Sequence, residues 1–169
     1  AISGLIFANA AEGKLKKLTA NRSMASVPFG ARYRMIDFTL SNLVNAGVNS
    51  VGIVTKEDYR SLMDHVGSGV FWDLDRKNGG LYMIPPYAKK GMKRYKGTIS
   101  GLYAAMDYIE RCNSEYMILC NPHVIANIDI ENKVLLGSPA ITTRGYILVN
   151  ENTDLIRDIQ TKAEEIINS

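Results

Sequence analysis

The sequence predicts an α/β fold, doubly wound around a mostly parallel sheet. Three observations carry that expectation. Short apolar runs without polar alternation recur along the chain, as strands buried on both faces require. Between them apolar residues return every three or four positions, the period of a helix with one buried face. Glycines stand where those helices should stop. The order strand, helix, strand, helix, helix, strand favours right-handed crossovers and a sheet covered on both sides.

Each element follows from its residues. Ile2 to Ala8 is a short apolar run suited to a buried parallel strand. From Ile36 to Val48, the residues Ile36, Leu40, Leu43 and Val44 form one helical stripe, with Gly47 at its stop. Ser50 to Thr55 is the next buried strand, and Tyr59, Leu62, Met63 and Val66 form a second helix stripe closed by Gly67. Residues 98–111 repeat the helical pattern through Ile99, Leu102, Tyr103, Met106 and Ile109, after which Tyr116 to Cys120 is strand again. Toward the end, Leu155, Ile156, Ile159, Ala163, Ile166 and Ile167 mark an amphipathic helix capped near Asn152 or Thr153. Ligands in such folds gather at the carboxyl ends of the strands, so Asn9, Lys56 and Asn121 are expected to point into a site.

Composition bounds the function. The chain has 169 residues, 46% of them hydrophobic and 22% charged, which describes one folded domain with a real core, residues 1–169. A net charge of +3 is compatible with a phosphate-rich ligand and too weak for nucleic-acid binding. The basic run Lys89, Lys90, Lys93, Arg94 and Lys96 therefore reads as a solvated loop or an anionic-metabolite site. The absence of a long apolar span or a leader pattern predicts a cytoplasmic protein with no membrane contact. Cys112 and Cys120, without a CxxC, read as free thiols. His65 beside Asp64 reads as a surface or interface histidine, and neither it nor His123 has metal-ligand spacing.

Residues 22–47 carry a more specific signal: Pro28-Phe29-Gly30, then Arg32 and Arg34, Ile36-Asp37-Phe38, Leu40-Ser41-Asn42 and Asn45-Ala46-Gly47. This segment resembles the glucose-1-phosphate adenylyltransferase (ADP-glucose pyrophosphorylase) family of sugar-nucleotide pyrophosphorylases, which make ADP-glucose for glycogen. The resemblance covers about residues 3–130. It implies a Rossmann-like nucleotidyltransferase domain, incomplete after about residue 130, with the family's C-terminal left-handed β-helix absent. Residues 61–86, with Leu62-Met63-Asp64-His65, Gly67-Ser68-Gly69 and Trp72-Asp73-Leu74, are most similar to the family's non-catalytic regulatory subunit of Gram-positive glycogen operons.

The resemblance also says which residues catalysis would need. A pyrophosphorylase must hold a triphosphate against close backbone amides, which asks for glycines and a cation. The family's Gly-Gly-x-Gly-x-Arg-Leu loop corresponds here to Asn9-Ala10-Ala11-Glu12-Gly13-Lys14-Leu15. Glu12 would place a carboxylate among phosphate oxygens, a repulsion of about 4 kcal/mol at ~4 Å and an effective dielectric of ~20. The lysine of the family's Arg-Ala-Lys-Pro element is Met24, and the aspartate that holds Mg²⁺ is replaced by Pro122 in Asn121-Pro122-His123. These three replacements predict no catalytic residue and no cofactor in this chain, with Mg²⁺ and ATP belonging to a catalytic partner.

The candidates for anion or nucleotide binding are Lys14, Lys56, Gly97 and Thr98, the last two from the turn Tyr95-Lys96-Gly97-Thr98 that opens a helix, where simple capping by Thr98 is the favoured alternative. Arg32 corresponds to a basic residue of the family's activator site, which implies a phosphate-effector role; structural pairing of Arg32 and Arg34 with Asp37 stands as an equal alternative. The expected partners are a catalytic glucose-1-phosphate adenylyltransferase subunit, in a hetero-oligomer, and an anionic metabolite effector. Two readings stand: a regulatory, inactive subunit, or a divergent active sugar-phosphate nucleotidyltransferase relying on Lys14, Lys56 and a carboxylate such as Asp129.

Overall fold

The computed structural model describes residues 2–8, 24–30, 32–56, 59–85, 97–112, 114–122 and 146–150. The strands are β1 (Ile2–Phe7), β2 (Pro28–Phe29), β3 (Tyr33–Arg34), β4 (Ser50–Val54), β5 (Gly80–Ile84), β6 (Tyr116–Cys120) and β7 (Tyr146–Asn150). The helices are α1 (Met35–Asn45), α2 (Arg60–Val66), α3 (Gly97–Ala104) and α4 (Met106–Cys112). Five strands form one sheet in the order β5-β4-β1-β6-β7, and β2 pairs with β3 in a small antiparallel ribbon.

Within the sheet, β5, β4, β1 and β6 run parallel and β7 runs antiparallel to β6. The chain therefore winds from β1 outward through β4 to β5, then returns to build β6 on the other side of β1. The switch point between β1 and β6 is where a doubly wound sheet opens its ligand crevice.

Apolar runs become central strands because both faces are covered. Ile6 of β1 and Ala8 just after it, Val51 and Ile53 of β4, and Ile118 and Cys120 of β6 join Ile36, Leu40, Leu43, Leu62 and Val66 in one core layer. Leu5 and Phe7, Val54 and Met117 join Leu102, Met106, Tyr108 and Ile109 in the other. So α1 and α2 cover one face, α3 and α4 the other. Burying each large aliphatic or aromatic side chain contributes about 1.5–3 kcal/mol.

The helix stops lie where the sequence placed them. α1 ends at Asn45 and Gly47 turns at φ +81°, while Gly67 closes α2 at φ +57°. Three readings need correction. Residues 98–111 form two helices with Ala105 between them, although its N–H still bonds Gly101 O and Leu102 O, both at 3.1 Å. Met63 is 41% exposed, since in so short a helix only Leu62 and Val66 face the core. The strand β5 was not anticipated, because an edge strand between Gly79-Gly80 and Pro85 carries a weak pattern. Its outer edge is blunted: Leu81 N–H donates to Leu74 O at 3.0 Å instead of standing open. The helix expected over 152–167 lies outside the described residues. Among those described, no helix is long and apolar enough to cross a membrane.

Candidate functional site

The carboxyl edge of the sheet is built by the ends of β4, β1 and β6. Ala8 N–H donates to Val54 O at 2.8 Å, carrying the β1–β4 ladder past the end of β1. Thr55 donates both its N–H, at 3.0 Å, and its hydroxyl, at 2.8 Å, to Ile84 O, which ties the ends of β4 and β5 together. Lys56 follows, half-buried, and Asn121 stands exposed directly after β6. Both therefore sit at the carboxyl ends of the strands that flank β1, and both already hold partners. Asn9 and Lys14 lie outside the described residues, as do Glu12, His123 and Asp129. Gly97 and Thr98 open α3, on the connection that leaves the carboxyl end of β5.

Two residues that the sequence sets against catalysis are placed by the fold. Met24 begins the 3-10 turn Met24–Ser26, whose Ala25 packs in the core layer of Ile6 and Ala8 at the end of β1. Pro122 is buried one residue beyond Asn121, beside the switch point. It offers no side-chain oxygen, and its neighbour offers an amide. Hard Mg²⁺ selects carboxylate and phosphate oxygens, so the residues described at the end of β6 do not fit a metal clasp. Cys120, the last residue of β6, adds no nucleophile: its burial pushes the thiol well above its ordinary range, and it stays protonated, donating toward Ile118 O at 3.6 Å.

A second feature lies on the other side of α1, where Arg32 was expected to bind an effector. Arg32 is exposed and, among the described residues, makes no hydrogen bond or ion pair. It lines a cleft of about 560 Å³ with Tyr33, Asp37 and Phe38, and with Ser41, His65, Phe71 and Trp72 opposite and beside them. The apolar wall is a chain of ring contacts. Phe38 meets Phe29 edge-on at 5.5 Å and Tyr33 at 6.3 Å, while Trp72 meets His65 at 6.5 Å and Phe71 at 6.2 Å.

Asp37 organises this cleft, with partners other than the two guanidinium groups proposed for it. Its Oδ2 accepts the backbone N–H of Arg34 at 2.8 Å, capping α1, and its Oδ1 meets His65 Nε2 at 2.7 Å. The Arg34 guanidinium turns away, donating to Ser26 O at 2.8 Å and Ser61 Oγ at 3.0 Å. His65 is thus half-buried and bonded, not a simple surface residue. With both carboxylate oxygens engaged, Arg32 is, among the described residues, the guanidinium that the cleft presents to an incoming anion. Sequence reasoning missed Trp72, Phe71 and Ser41 as lining residues. The four-residue spacing of Asp37 and Ser41, one face of a helix, was the signal available.

A second cavity, of about 450 Å³, opens between β5 and α4 and reaches the amino ends of β4 and β5 at Asn49 and Gly79. Below it Tyr108 OH donates to Gly4 O at 3.2 Å and lies 3.1 Å from Ser50 Oγ.

Comparison with known proteins agrees with this architecture. The sequence model of the family described as nucleotidyl transferase matches residues 3–137. A glucose-1-phosphate adenylyltransferase of Geobacillus stearothermophilus is 39% identical over 129 residues, 76% of this chain and 33% of the relative. The glycogen biosynthesis protein GlgD of the same organism is 43% identical over 129 residues, 76% of this chain and 38% of the relative. The chain thus spans between a third and two fifths of the length of these relatives. A Bacillus anthracis crystal structure, provisionally described as a glucose-1-phosphate thymidylyltransferase, superposes with a TM-score of 0.66 at 14% identity, covering 98% of this chain and 84% of that one. At that identity the likeness is one of fold.

Proposed function

Because the chain belongs to the nucleotidyl transferase family, we propose that it serves glycogen biosynthesis as a regulatory, catalytically inactive, cytoplasmic subunit of glucose-1-phosphate adenylyltransferase. A catalytic homologue in the same hetero-oligomer would form ADP-glucose from ATP and glucose 1-phosphate, with Mg²⁺ at the partner's site. The observation that carries this reading is buried Pro122 at the end of β6, where a metal-holding carboxylate would be needed. The replacements at Glu12 and Met24 point the same way. Similarity to a GlgD protein supports the pathway, as does similarity to an adenylyltransferase.

In this reading the scaffold is retained for shape. A homologous catalytic chain docks against equivalent surfaces, and binding favours one of its conformations. Lys14, Lys56 and the Gly97-Thr98 helix start serve any residual nucleotide or anion, and Arg32 serves an anionic metabolite effector. The near-equal identity to the adenylyltransferase, 39% against 43%, keeps one competing reading: a divergent, active nucleotidyltransferase.

One experiment separates them. The full-length protein, purified free of catalytic homologues, is assayed with ATP, glucose 1-phosphate and Mg²⁺, then again after mixing with the catalytic subunit. The expectation is no ADP-glucose from the protein alone. Each lost charge contact at a transition state costs about 10²–10³ in rate. The mixture should form a stable complex with altered KM or effector response. Mg²⁺-dependent turnover by the protein alone establishes the competing reading. Separate elution at micromolar concentration with unchanged kinetics overturns the regulatory one.

A further inference from the structure

We propose that Asp37 and His65 form a positioning pair for the Arg32 cleft, an inference that rests on the effector reading above. The geometry is that of one carboxylate serving three elements. Through Oδ2 it holds the Arg34 N–H at 2.8 Å and so sets the angle between β3 and α1. Through Oδ1 it holds His65 Nε2 at 2.7 Å and so fixes α2 to α1. The His65 side chain is 19% exposed and that of Asp37 11%, so water competes weakly for the bond. A hydrogen bond to a charged group, at that burial, is among the stronger ones available to a side chain.

What the pair positions is the cleft itself. His65 carries the Trp72 ring edge-on at 6.5 Å, and Trp72 carries Phe71 in turn. On the opposite wall β3 carries Tyr33 immediately after Arg32. With Nε2 committed to Asp37, the ring's tautomer and plane are set by the carboxylate. Cutting the bond leaves α2 seated on α1 through Leu62 and Val66 and tied to β3 through Arg34 and Ser61, but it frees the His65 ring and the Trp72 ring that rests on it, and the distance between Arg32 and the aromatic wall ceases to be defined. A ligand that needs cation and wall together then meets a competent cleft only part of the time, and its apparent affinity falls by that fraction.

Two amides test this without changing polarity. In His65→Gln the amide nitrogen reaches the place of Nε2, and in His65→Asn it stops near the place of Nδ1, short of Asp37. The full-length protein is followed by Trp72 fluorescence, assigned with a Trp72→Phe control, using acrylamide quenching without ligand and titration with glucose 1-phosphate and with inorganic phosphate. The expected result is wild-type quenching and affinity for His65→Gln. For His65→Asn we expect at least about twofold stronger quenching and about tenfold weaker binding, which is about 1.4 kcal/mol. Equal quenching in the two variants overturns the positioning pair. Quenching that separates them, with no wild-type response to either phosphate, overturns the effector reading and leaves the pair standing.

Discussion

Replacing Gly52 by alanine probes how α4 is seated on the sheet. Gly52 lies in β4 on the face covered by α4, and a Cβ there would stand 2.7 Å and 2.9 Å from Tyr108 ring carbons and 3.1 Å from Leu5 Cδ1. Ordinary carbon contacts begin at about 3.5 Å, so the ring must retreat by more than half an ångström. It is not free to do so. Its hydroxyl holds Gly4 O at 3.2 Å and Ser50 Oγ at 3.1 Å, one group on β1 and one on β4. Overpacking of a dense core costs about 1–3 kcal/mol, and loosening two buried hydrogen bonds adds roughly 1 kcal/mol. Alanine's better strand entropy returns about 0.5–1 kcal/mol. The expected net loss is about 1–3.5 kcal/mol, read as a lower urea midpoint at unchanged slope. In a Tyr108→Ala background the clash disappears, and Gly52→Ala should become neutral or favourable, a coupling above about 1 kcal/mol. A Gly52→Ala protein within about 0.5 kcal/mol of wild type, or an equal loss in both backgrounds, would refute the packing argument.

Three further outcomes are expected. Alkylation of the native protein at pH 8, read by mass spectrometry, should modify Cys112 and spare Cys120, whose buried thiol titrates far above that pH and so stays protonated; a native Cys120 adduct contradicts this. Thr39→Val should raise stability by about 1 kcal/mol, because the Thr39 hydroxyl is fully buried without a partner among the described residues; a lower urea midpoint would mean that hydroxyl is satisfied. Phe71→Ala should leave stability within about 0.5 kcal/mol, since Phe71 is 88% exposed and contributes to the cleft instead of the core; a clear drop in melting temperature would place it in the core.

Periodicity and glycine placement were enough to anticipate the doubly wound fold, because burial on two faces writes a nearly continuous apolar run and burial on one writes a helical stripe. β1, β4, β6, α1 and α2 could be read that way, as could Lys56 and Asn121 at the carboxyl edge. The edge strand β5 could not: half of its surroundings come from a loop, and Leu74 supplies the hydrogen bond a neighbouring strand would have made. The break at Ala105 leaves no mark in composition either, since the hydrogen-bond ladder nearly survives it.

The candidate sites divide along the same line. Residue identity alone decided what Pro122 and Met24 cannot do, because a proline side chain cannot hold a cation nor a methionine supply charge in any fold. Only the tertiary structure decided what Asp37 does. The sequence offered Arg32 and Arg34 as local partners, yet the backbone N–H of Arg34 and the ring of His65, 28 residues further on, took the two oxygens. Local spacing says which groups can meet along one element. Crossover packing brings α2 beside α1, joins Trp72 to the Arg32 cleft, and selects among those meetings by geometry and burial that no local pattern records.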